Sequence, residues 1–527
     1  MSREITHATL AEAEKLAAIE LDDAERELVR ARVGRLIAIY AERRALVLPN
    51  TLSPALGFNP LLPGETLSGL TEGFARSPAD GAALPEDDVS IAFAPLSRLS
   101  RWLESRALSS RRLTEIYLSR LRRHGPTLEC VVTLCEERAL AQAERADREI
   151  ASGAYRGPLH GVPWGAKDLL DTAGVATTYG ATPYREHVPG ADACVVARLE
   201  AAGAVLVAKL SLGELAQGDV WFGGKTRNPW QLGAGSGGSS AGSASAVAAG
   251  LVSFAIGSET LGSITFPSAT CGATGLRPTF GRVPRSGAMP LAWSLDKLGP
   301  ICRSAEDAAL VLAAIHGRDD GDPDSVTQPF GFDAAAAVRG LRVGFSQAWF
   351  DGEGAHESEG AVLDVLRGLG VELVDVTLPD LPYRTLLRAL IFVEAAAAFE
   401  ELTFTGRDDL LRQQEAGSWP NVFRTARFVP AVEYVQLQRV RRRVMEAAAA
   451  LFRSVDAVVG PGDGGPMLLV SNASGHPALT LRAGFREDGT PTAVTLHGRL
   501  FDEGRLCRLG AALEHALGIR DRRPPLD

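Results

Sequence analysis

Hydrophobic positions recur with a helical period near the start of the chain and again from about residue 96 onward. Residues 8–45 carry this pattern, with Asp22 or Asp23 as the N-cap of a second helix. One apolar stripe runs along that helix, made of Leu28, Val33, Leu36, Ile37 and Tyr40. The stripe predicts an accessory helical pair packed on the main body.

A proline-rich stretch follows and reads as an extended linker or covering arm, with prolines at 49, 54, 60, 63, 78 and 85. We place a boundary near residue 88. Residues 1–88 are then a helical extension with its linker, and residues 89–527 form one large catalytic domain. The extension could cover an active-site mouth or build a dimer contact, and both remain hypotheses at this stage.

Helical and strand patterns alternate in the main body. Helices are predicted over 110–123, 136–152, 193–202, 305–316 and 434–452, with strands over 131–133, 205–208, 341–345 and 457–459, then two strands and a closing helix. This alternation predicts an α/β fold with helices on both faces of a mixed, twisted β-sheet. Residues 380–430 look irregular, and we interpret them as a substrate-covering region.

The segment Gly235–Ser263 departs from this alternation and reads GSGGSSAGSASAVAAGLVSFAIGSETLGS. It lies in a run, 228–258, without a charged residue or histidine. A glycine-rich turn leads into a small-residue helix over Ser243–Ala249, then a buried strand over Leu251–Ile256, then a second turn at Gly262–Ser263. Such a segment is suited to placing hydroxyl and backbone N–H groups rather than to filling a core.

Composition narrows the classes of function. The chain has 527 residues, 46% hydrophobic and 23% charged, and its net charge of −9 is spread along the chain, which argues against nucleic acid as a partner. Six cysteines lack metal-ligand spacing, which predicts free thiols in a reducing, cytoplasmic setting and no metal. No signal-peptide core is visible, and Ala244–Ile256 is too short for a membrane span.

Two glycine motifs in this segment offer alternatives. Gly233, Gly235 and Gly238 satisfy GxGxxG, but no acidic ribose partner is placed in a βαβ unit, so a dinucleotide site is disfavoured. Residues 238–242 satisfy GxSxG, the nucleophile elbow of α/β-hydrolases, with Ser240 at its centre. The later histidines that could complete a Ser-His-Asp triad are His476, His497 and His515.

Lys167 stands in the apolar, glycine-rich segment GVPWGAKDLLD. Burial of an ammonium group is costly and lowers its pKa, and a neutral amine is a competent general base. The structural interpretation is a surface lysine or an ion pair with Asp168 or Asp171. Two serine-bearing turns downstream favour the catalytic interpretation.

Taken together, these segments resemble the amidase signature family of Ser-cis-Ser-Lys hydrolases. The matching segments are LHGVPWGAKDLLDTAGVATTYGA, GKTRNPW, GGSSAGSASAVAAGL, GSETLGSITFPSATCGATGLRPTFGRV, SLDKLGPICRSAEDAALVL and the terminal GHPALTL with LHGRLFDEGRL. The resemblance is strong over about 100–320, weaker over 455–520 and absent from the first 88 residues. It implies the amidase-signature fold, α/β/α around a mixed sheet.

The resemblance assigns roles residue by residue. Ser263 matches the nucleophile, Ser239 the serine after a cis peptide bond, and Lys167 the base; the two serines are 24 residues apart, as in the family. Thr260, Leu261 and Gly262 match the oxyanion turn, and Gly213 matches a substrate-binding position. No metal or cofactor is implied.

Departures from the family pattern shape the expected substrate. Leu261 stands where the family usually has glycine, and Thr265 and Phe266 stand where some relatives place an arginine, which favours a neutral or apolar small-molecule amide. The segment FVEAAAAFEELTFTGRDDL does not match the subunit of the glutaminyl-tRNA amidotransferase that shares this signature. We therefore expect hydrolysis of a linear carboxamide C–N bond, with esters or carbamates as further substrates. The alternatives are a Ser240 esterase and an amidase-fold protein without activity, and a homodimer is left open.

Overall fold

The protein was analysed as a computed structural model that describes residues 5–46, 48–49, 52–352 and 356–526. The helices of these residues are α1 His7–Ala17, α2 Asp23–Arg44, α3 Asp88–Phe93, α4 Leu96–Glu104, α5 Ser110–Leu128, α6 Glu136–Ala151, α7 Cys194–Ala201, α8 Ala241–Ala248, α9 Thr265–Cys271, α10 Ala305–Ile315, α11 Gln347–Phe350, α12 Glu357–Gly368, α13 Tyr383–Ala398, α14 Glu400–Thr405, α15 Trp419–Ala426, α16 Ala431–Ser454, α17 Gly465–Ser474 and α18 Glu503–Leu517.

The strands are β1 Gly73–Ala75, β2 Val131–Leu134, β3 Pro163–Lys167, β4 Val205–Leu210, β5 Val220–Trp221, β6 Gly224–Lys225, β7 Arg227–Asn228, β8 Gln231–Gly235, β9 Phe254–Glu259, β10 Thr274–Arg277, β11 Lys297–Cys302, β12 Gly331–Asp333, β13 Arg342–Phe345, β14 Glu372–Asp375, β15 Ala457–Pro461, β16 Ala478–Phe485 and β17 Pro491–Gly498. Short 3-10 turns cover 182–184, 214–216 and 407–410.

Eleven strands form one mixed sheet in the order β14-β13-β15-β17-β16-β10-β11-β9-β3-β4-β2. β3 runs parallel to both β4 and β9, whereas β9 and β11 are antiparallel. β3, β4 and β9 are buried along their whole length, which explains why they read as continuous apolar runs rather than alternating patterns. The predicted α/β fold with a mixed sheet is confirmed.

Two sequence-based predictions were wrong in detail. The strand expected over Leu251–Ile256 begins instead at Phe254, because Gly250 adopts a positive φ of 65° and the chain turns before the strand starts. Residues 380–430 are not irregular, since α13, α14 and α15 occupy most of them. Their buried residues join the core of the main body.

The N-terminal helices form as predicted, and Asp22 caps α2 by accepting from Glu25 N–H. The apolar stripe of α2 is not a buried face: Leu28 is 72% exposed, and Ile37 and Tyr40 are also exposed. The side chain of Leu36 lies outside the described residues. α2 contacts the main body through an ion pair between Arg43 and Glu400.

Candidate active site

Two parallel strands of the sheet bring the first site residues together. β3 ends at Lys167 and β9 ends at Glu259, and the two strands pair with Ala166 opposite Ile256. Because the carboxyl ends of adjacent parallel strands meet at one edge of the sheet, Lys167 lies beside Ser258. The Lys167 ammonium nitrogen is 2.8 Å from Ser258 Oγ.

The glycine-rich turn supplies the next two serines. The peptide bond between Gly238 and Ser239 is cis, and Ser240 precedes the first residue of α8. A side chain at Gly238 would lie 1.8 Å from the Gly218 carbonyl oxygen, so only glycine fits this backbone approach. The turn therefore directs both serine side chains toward the ends of β3 and β9.

Three hydroxyl groups surround the amine of Lys167. Its Nζ lies 2.8 Å from Ser239 Oγ, 3.0 Å from Ser240 Oγ and 2.8 Å from Ser258 Oγ. Ser240 donates its own hydrogen to the Ser258 carbonyl at 3.0 Å, so toward Lys167 it can only accept. A neutral amine has two N–H donors and one lone pair. With Ser240 and Ser258 as acceptors, the lone pair is available to the hydroxyl of Ser239.

The surroundings of Lys167 favour that neutral amine. The side chain is fully buried, and burial lowers its pKa to about 7 against the opposing charges of Asp296 and Glu259. The ion-pair partner that the sequence offered is engaged elsewhere, because Asp168 lies 3.1 Å from Lys209 and accepts hydrogen bonds from Thr178. The purely structural interpretation of Lys167 as half of an ion pair with Asp168 is wrong.

The second serine-bearing turn joins β9 to α9. Gly262 adopts a positive φ of 83°, and a side chain there would overlap the ring of Phe266. Ser263 is half-buried, and its carbonyl accepts from Ser240 N–H at 3.1 Å, which ties the two serine turns together. Leu261 is half-buried and packs against the main hydrophobic core.

Thr260 and Gly213 contribute to the frame of the site. Thr260 Oγ1 donates to Asp296 Oδ1 at 2.6 Å, while the other oxygen of Asp296 accepts from the N–H groups of Leu291 and Ala292. Gly213 is buried, and a side chain there would meet the Gly218 carbonyl at 2.0 Å. The same carbonyl abuts Gly238, so Gly213 supports the backbone under the cis bond.

Glu259 fixes the turn from behind. Its Oε2 accepts from Ile264 N–H at 2.9 Å and Thr265 N–H at 3.0 Å, and its Oε1 accepts from Arg277 at 2.6 Å. Burial alone would raise the pKa of this carboxyl group, but the charges of Arg277 and Lys297 hold the pKa far below its usual range. Since Ile264 and Thr265 are engaged, the N–H groups before them are the candidates for an oxyanion hole.

The histidines named for the alternative triad have other partners. His476 Nδ1 pairs with Ser474 Oγ and His497 Nδ1 with Ser471 Oγ, while His515 is exposed on α18. Burial lowers the pKa of both His476 and His497 to about 3. Ser240 is fully buried between Lys167 and the backbone of Ser258, an arrangement that does not expose a nucleophile.

Several residues that shape the site were missed from the sequence. Ser258 contacts Lys167, Glu259 anchors the nucleophile turn, and Asp296 holds Thr260. Ser258 and Glu259 carried a signal, because GSE directly precedes the serine turn. Asp296 carried none, since its contact depends on β9 and β11 lying side by side.

Two openings border these residues. A cavity of about 120 Å³ reaches Ser258 and Thr260 and is lined on its apolar walls by Leu169, Met289, Leu291, Trp293 and Leu298. A larger groove of about 710 Å³ runs past Phe266, three residues after Ser263, and carries polar groups such as Asp463 and Arg486. A small molecule could therefore approach the serine turns from two directions.

Searches for other kinds of site cover the described ranges only. Within them, no three His, Cys, Asp or Glu side chains are grouped so as to hold a metal ion. No helix in this part of the chain combines the length and apolarity needed to cross a bilayer.

Comparison with known proteins adds independent findings. A family model described as Amidase matches residues 112–466. The putative amidase AmiD of Mycobacterium tuberculosis is 38% identical over 484 residues, which is 85% of this chain and 99% of that protein. The homologous component of the glutamyl-tRNA(Gln) amidotransferase of a Roseiflexus species is 36% identical over 467 residues, 80% of this chain and 95% of its own.

Solved structures show the same likeness. The peptide amidase of Stenotrophomonas maltophilia superimposes with a TM-score of 0.73 at 32% sequence identity, covering 83% of this chain and 99% of that one.

Proposed function

This chain belongs to the amidase signature family, and we propose that it hydrolyses the C–N bond of a neutral carboxamide through an acyl-enzyme on Ser263. The family acts on amides, and the finer assignment rests on the site. The observation that carries it is the fully buried Lys167, with a pKa of about 7 and its Nζ 2.8 Å from Ser239 Oγ.

In the proposed mechanism, the lone pair of Lys167 takes the proton of Ser239, and Ser239 takes that of Ser263. The freed Ser263 Oγ attacks the amide carbon. Backbone N–H groups of Leu261, Gly262 and Ser263 hold the negative oxygen, with Thr260 and Gly213 supporting the turns. Ser239 returns a proton to the departing amine as the C–N bond breaks. Water then cleaves the acyl-enzyme by the same proton route and releases a carboxylic acid.

The residues near the nucleophile support a neutral substrate. Thr265, at a position where some relatives carry arginine, donates its hydroxyl to Glu259, and Phe266 presents an aromatic ring to the groove. Neither offers a positive charge to an acidic acyl group. The same chemistry extends to esters and carbamates, because these have better leaving groups than amides.

Hydrolysis is favoured over transamidation by the region 392–410, which in this chain forms parts of α13 and α14 and lacks the segment expected of the tRNA amidotransferase. Glutamine is the discriminating substrate. We expect neutral aryl and aliphatic amides to be hydrolysed with kcat/KM at least about tenfold above that for glutamine. A strong preference for glutamine would contradict the proposal.

The direct test is ammonia or amine release from a panel of neutral amides. Ser263→Ala and Lys167→Ala should each abolish turnover while circular dichroism shows an intact fold, because each removes a group that the chemistry requires. Lys225→Ala, at an exposed lysine, and Ser243→Ala, at a buried serine of α8, are the matched controls and should remain active. Activity that survives in Lys167→Ala but is lost in Ser240→Ala would indicate the esterase alternative.

A covalent probe separates an enzyme without its substrate from a protein that has lost the activity. A fluorophosphonate should label the wild type at Ser263, as located by mass spectrometry, and should not label Ser263→Ala. Absence of labelling in the wild type would favour the inactive alternative.

A further inference from the structure

We propose that Ser53, in the proline-rich arm before the main body, bounds the substrate cavity and limits the group it accepts to about the size of one phenyl ring. The inference rests on the proposed function and adds a specificity-determining residue to it. The sequence resemblance is absent from this part of the chain, so the family pattern gives no role for Ser53.

The position of Ser53 in the cavity wall is the first observation. The cavity begins at Ser258 and Thr260, beside Lys167 and the nucleophile turn. Its other lining residues come from 169–322, whereas Ser53 comes from a segment more than 100 residues earlier in the chain. Ser53 is half-buried although it lies in an arm without regular structure. The arm thus supplies a part of the wall that the main body does not.

The second observation is that the arm is anchored immediately after Ser53. The Arg441 guanidinium lies 3.4 Å from the ring centre of Phe58, and that ring meets Phe280 edge-on at 5.0 Å. Pro60 is buried. A cation–π contact and an aromatic pair are each worth about 1 kcal/mol, so together they hold the segment on the main body.

The arm also abuts a charged pair in the cavity wall. A side chain at Gly57 would lie 2.6 Å from Asp324 Oδ1, and Asp324 accepts from Arg285 at 2.8 Å. Arg285 lines the cavity and is also held by Asp322. Its guanidinium is therefore occupied by two carboxylates, and the cavity offers no free cation to an acidic substrate.

Size and polarity together define the group that fits. Apolar side chains form most of the wall, and the volume is about 120 Å³. An apolar cavity of about 150 Å³ holds a benzene molecule. The cavity thus suits a short alkyl or single aromatic group attached to the scissile amide, on either its acyl or its amine side.

Two matched variants test the assignment. Ser53→Trp places an indole at the cavity wall, and Ser68→Trp places the same side chain at an exposed position of the same arm. The substrates are primary amides with acyl groups from acetyl to benzoyl and N-substituted acetamides with amine groups of rising size.

For Ser53→Trp we expect the ratio of kcat/KM for the largest to the smallest member to fall at least about tenfold in one of the two series. For Ser68→Trp we expect the wild-type ratio. An unchanged ratio for Ser53→Trp in both series would overturn the inference. Loss of activity toward every member, in a folded protein, would also overturn it, because the smallest substrate should still fit.

A second measurement does not depend on turnover and so separates this inference from the proposed function. Ser53→Cys and Ser68→Cys are compared for reaction with a bulky maleimide and with iodoacetamide, the wild type giving the background of the native cysteines. We expect Cys at position 53 to discriminate against the bulky reagent at least about tenfold more than at position 68, because it lines a cavity. Equal discrimination at both positions would overturn the inference even if the enzyme hydrolyses amides.

Discussion

At the scale of single residues, Glu259 joins the nucleophile turn to the support behind it. One oxygen holds the N–H groups of Ile264 and Thr265, and the other meets Arg277 and Asn472. Asn472 in turn accepts from Lys297 at 2.8 Å. The position of Ser263 therefore depends on a buried network as much as on its own turn.

Glu259→Gln should keep the fold but lower kcat about 100-fold with a smaller change in KM, because an amide replaces one acceptor oxygen and a shift of about 1 Å can cost that much. Steady-state kinetics and the rate of fluorophosphonate labelling at Ser263 measure the effect. Glu137→Gln, at an exposed position of α6, is the control. Wild-type kcat in Glu259→Gln would exclude the positioning role.

The pH profile tests Lys167 directly. Below its pKa of about 7 the amine is protonated and cannot accept the proton of Ser239. We therefore expect kcat/KM to rise about tenfold per pH unit up to pH 7 and to level off near pH 8. His476 and His497, whose pKa values are near 3, stay neutral throughout this range. A flat profile between pH 5.5 and 9 would contradict lysine as the base.

How much of the site could be predicted depends on how local its contacts are. Ser239, Ser263 and the small-residue helix between them follow one another in the chain, and Lys167 stood out as a charge in an apolar segment. The role of Asp296 could not be predicted, because its contact with Thr260 forms only when β11 pairs with β9. Ser53 reaches the cavity from still farther along the chain.

At the scale of elements, the main-body strands and helices with clear boundaries were predicted, and the region 380–430 was not. Its prolines read as breakers in the sequence, yet Pro382 and Pro430 directly precede α13 and α16, and Pro420 lies in the first turn of α15. Proline is tolerated there because the first N–H groups of a helix have no partner within it. The same residue type thus marks helix starts where a loop was inferred.

α13 and α16 hold the loop that carries one cavity wall. Glu394 on α13 accepts from the N–H of Ser294 at 2.9 Å, and Arg441 on α16 donates to its carbonyl at 2.8 Å. Trp293, the residue before Ser294, lines the cavity. These helices therefore contribute to the site through the loop they fix rather than as an irregular cover.

Glu394→Ala should reduce the free energy of unfolding by roughly 3 kcal/mol, because it leaves buried Arg441 without its nearby carboxylate. KM should rise as Trp293 loses its support. Urea denaturation and steady-state kinetics measure the two effects. Glu433→Ala, exposed on α16, should stay within about 0.5 kcal/mol of the wild type. An unchanged KM in a destabilised Glu394→Ala would restrict this residue to stability.

At the scale of the whole molecule, the site lies within the mixed sheet and its cavity is closed by a distant arm. β3 and β9, which carry Lys167 and Ser258, stand third and fourth from the β2 edge of eleven strands. Neighbours on both sides fix their register, which gives the chemistry a rigid base. The arm, by contrast, has little regular structure and is fixed by a few contacts at Phe58 and Pro60.

This difference predicts two distinct truncations. Removal of residues 1–45 takes away α1, α2 and the Arg43–Glu400 ion pair, but surface pairs contribute at most about 1 kcal/mol, and Phe58 and Pro60 remain. We expect kcat/KM for small and large amides to stay within about threefold of the wild type. Removal of residues 1–60 deletes the wall itself, so large amides should gain relative to small ones, and Phe280 and Arg441 should lose cover with a lower melting temperature. Light scattering on both truncations also tests α2 as a dimer contact, because a mass halved by removal of residues 1–45 would identify one. If the two truncations changed substrate preference equally, α1 and α2 would share in closing the cavity and the anchoring role of Phe58 would be wrong.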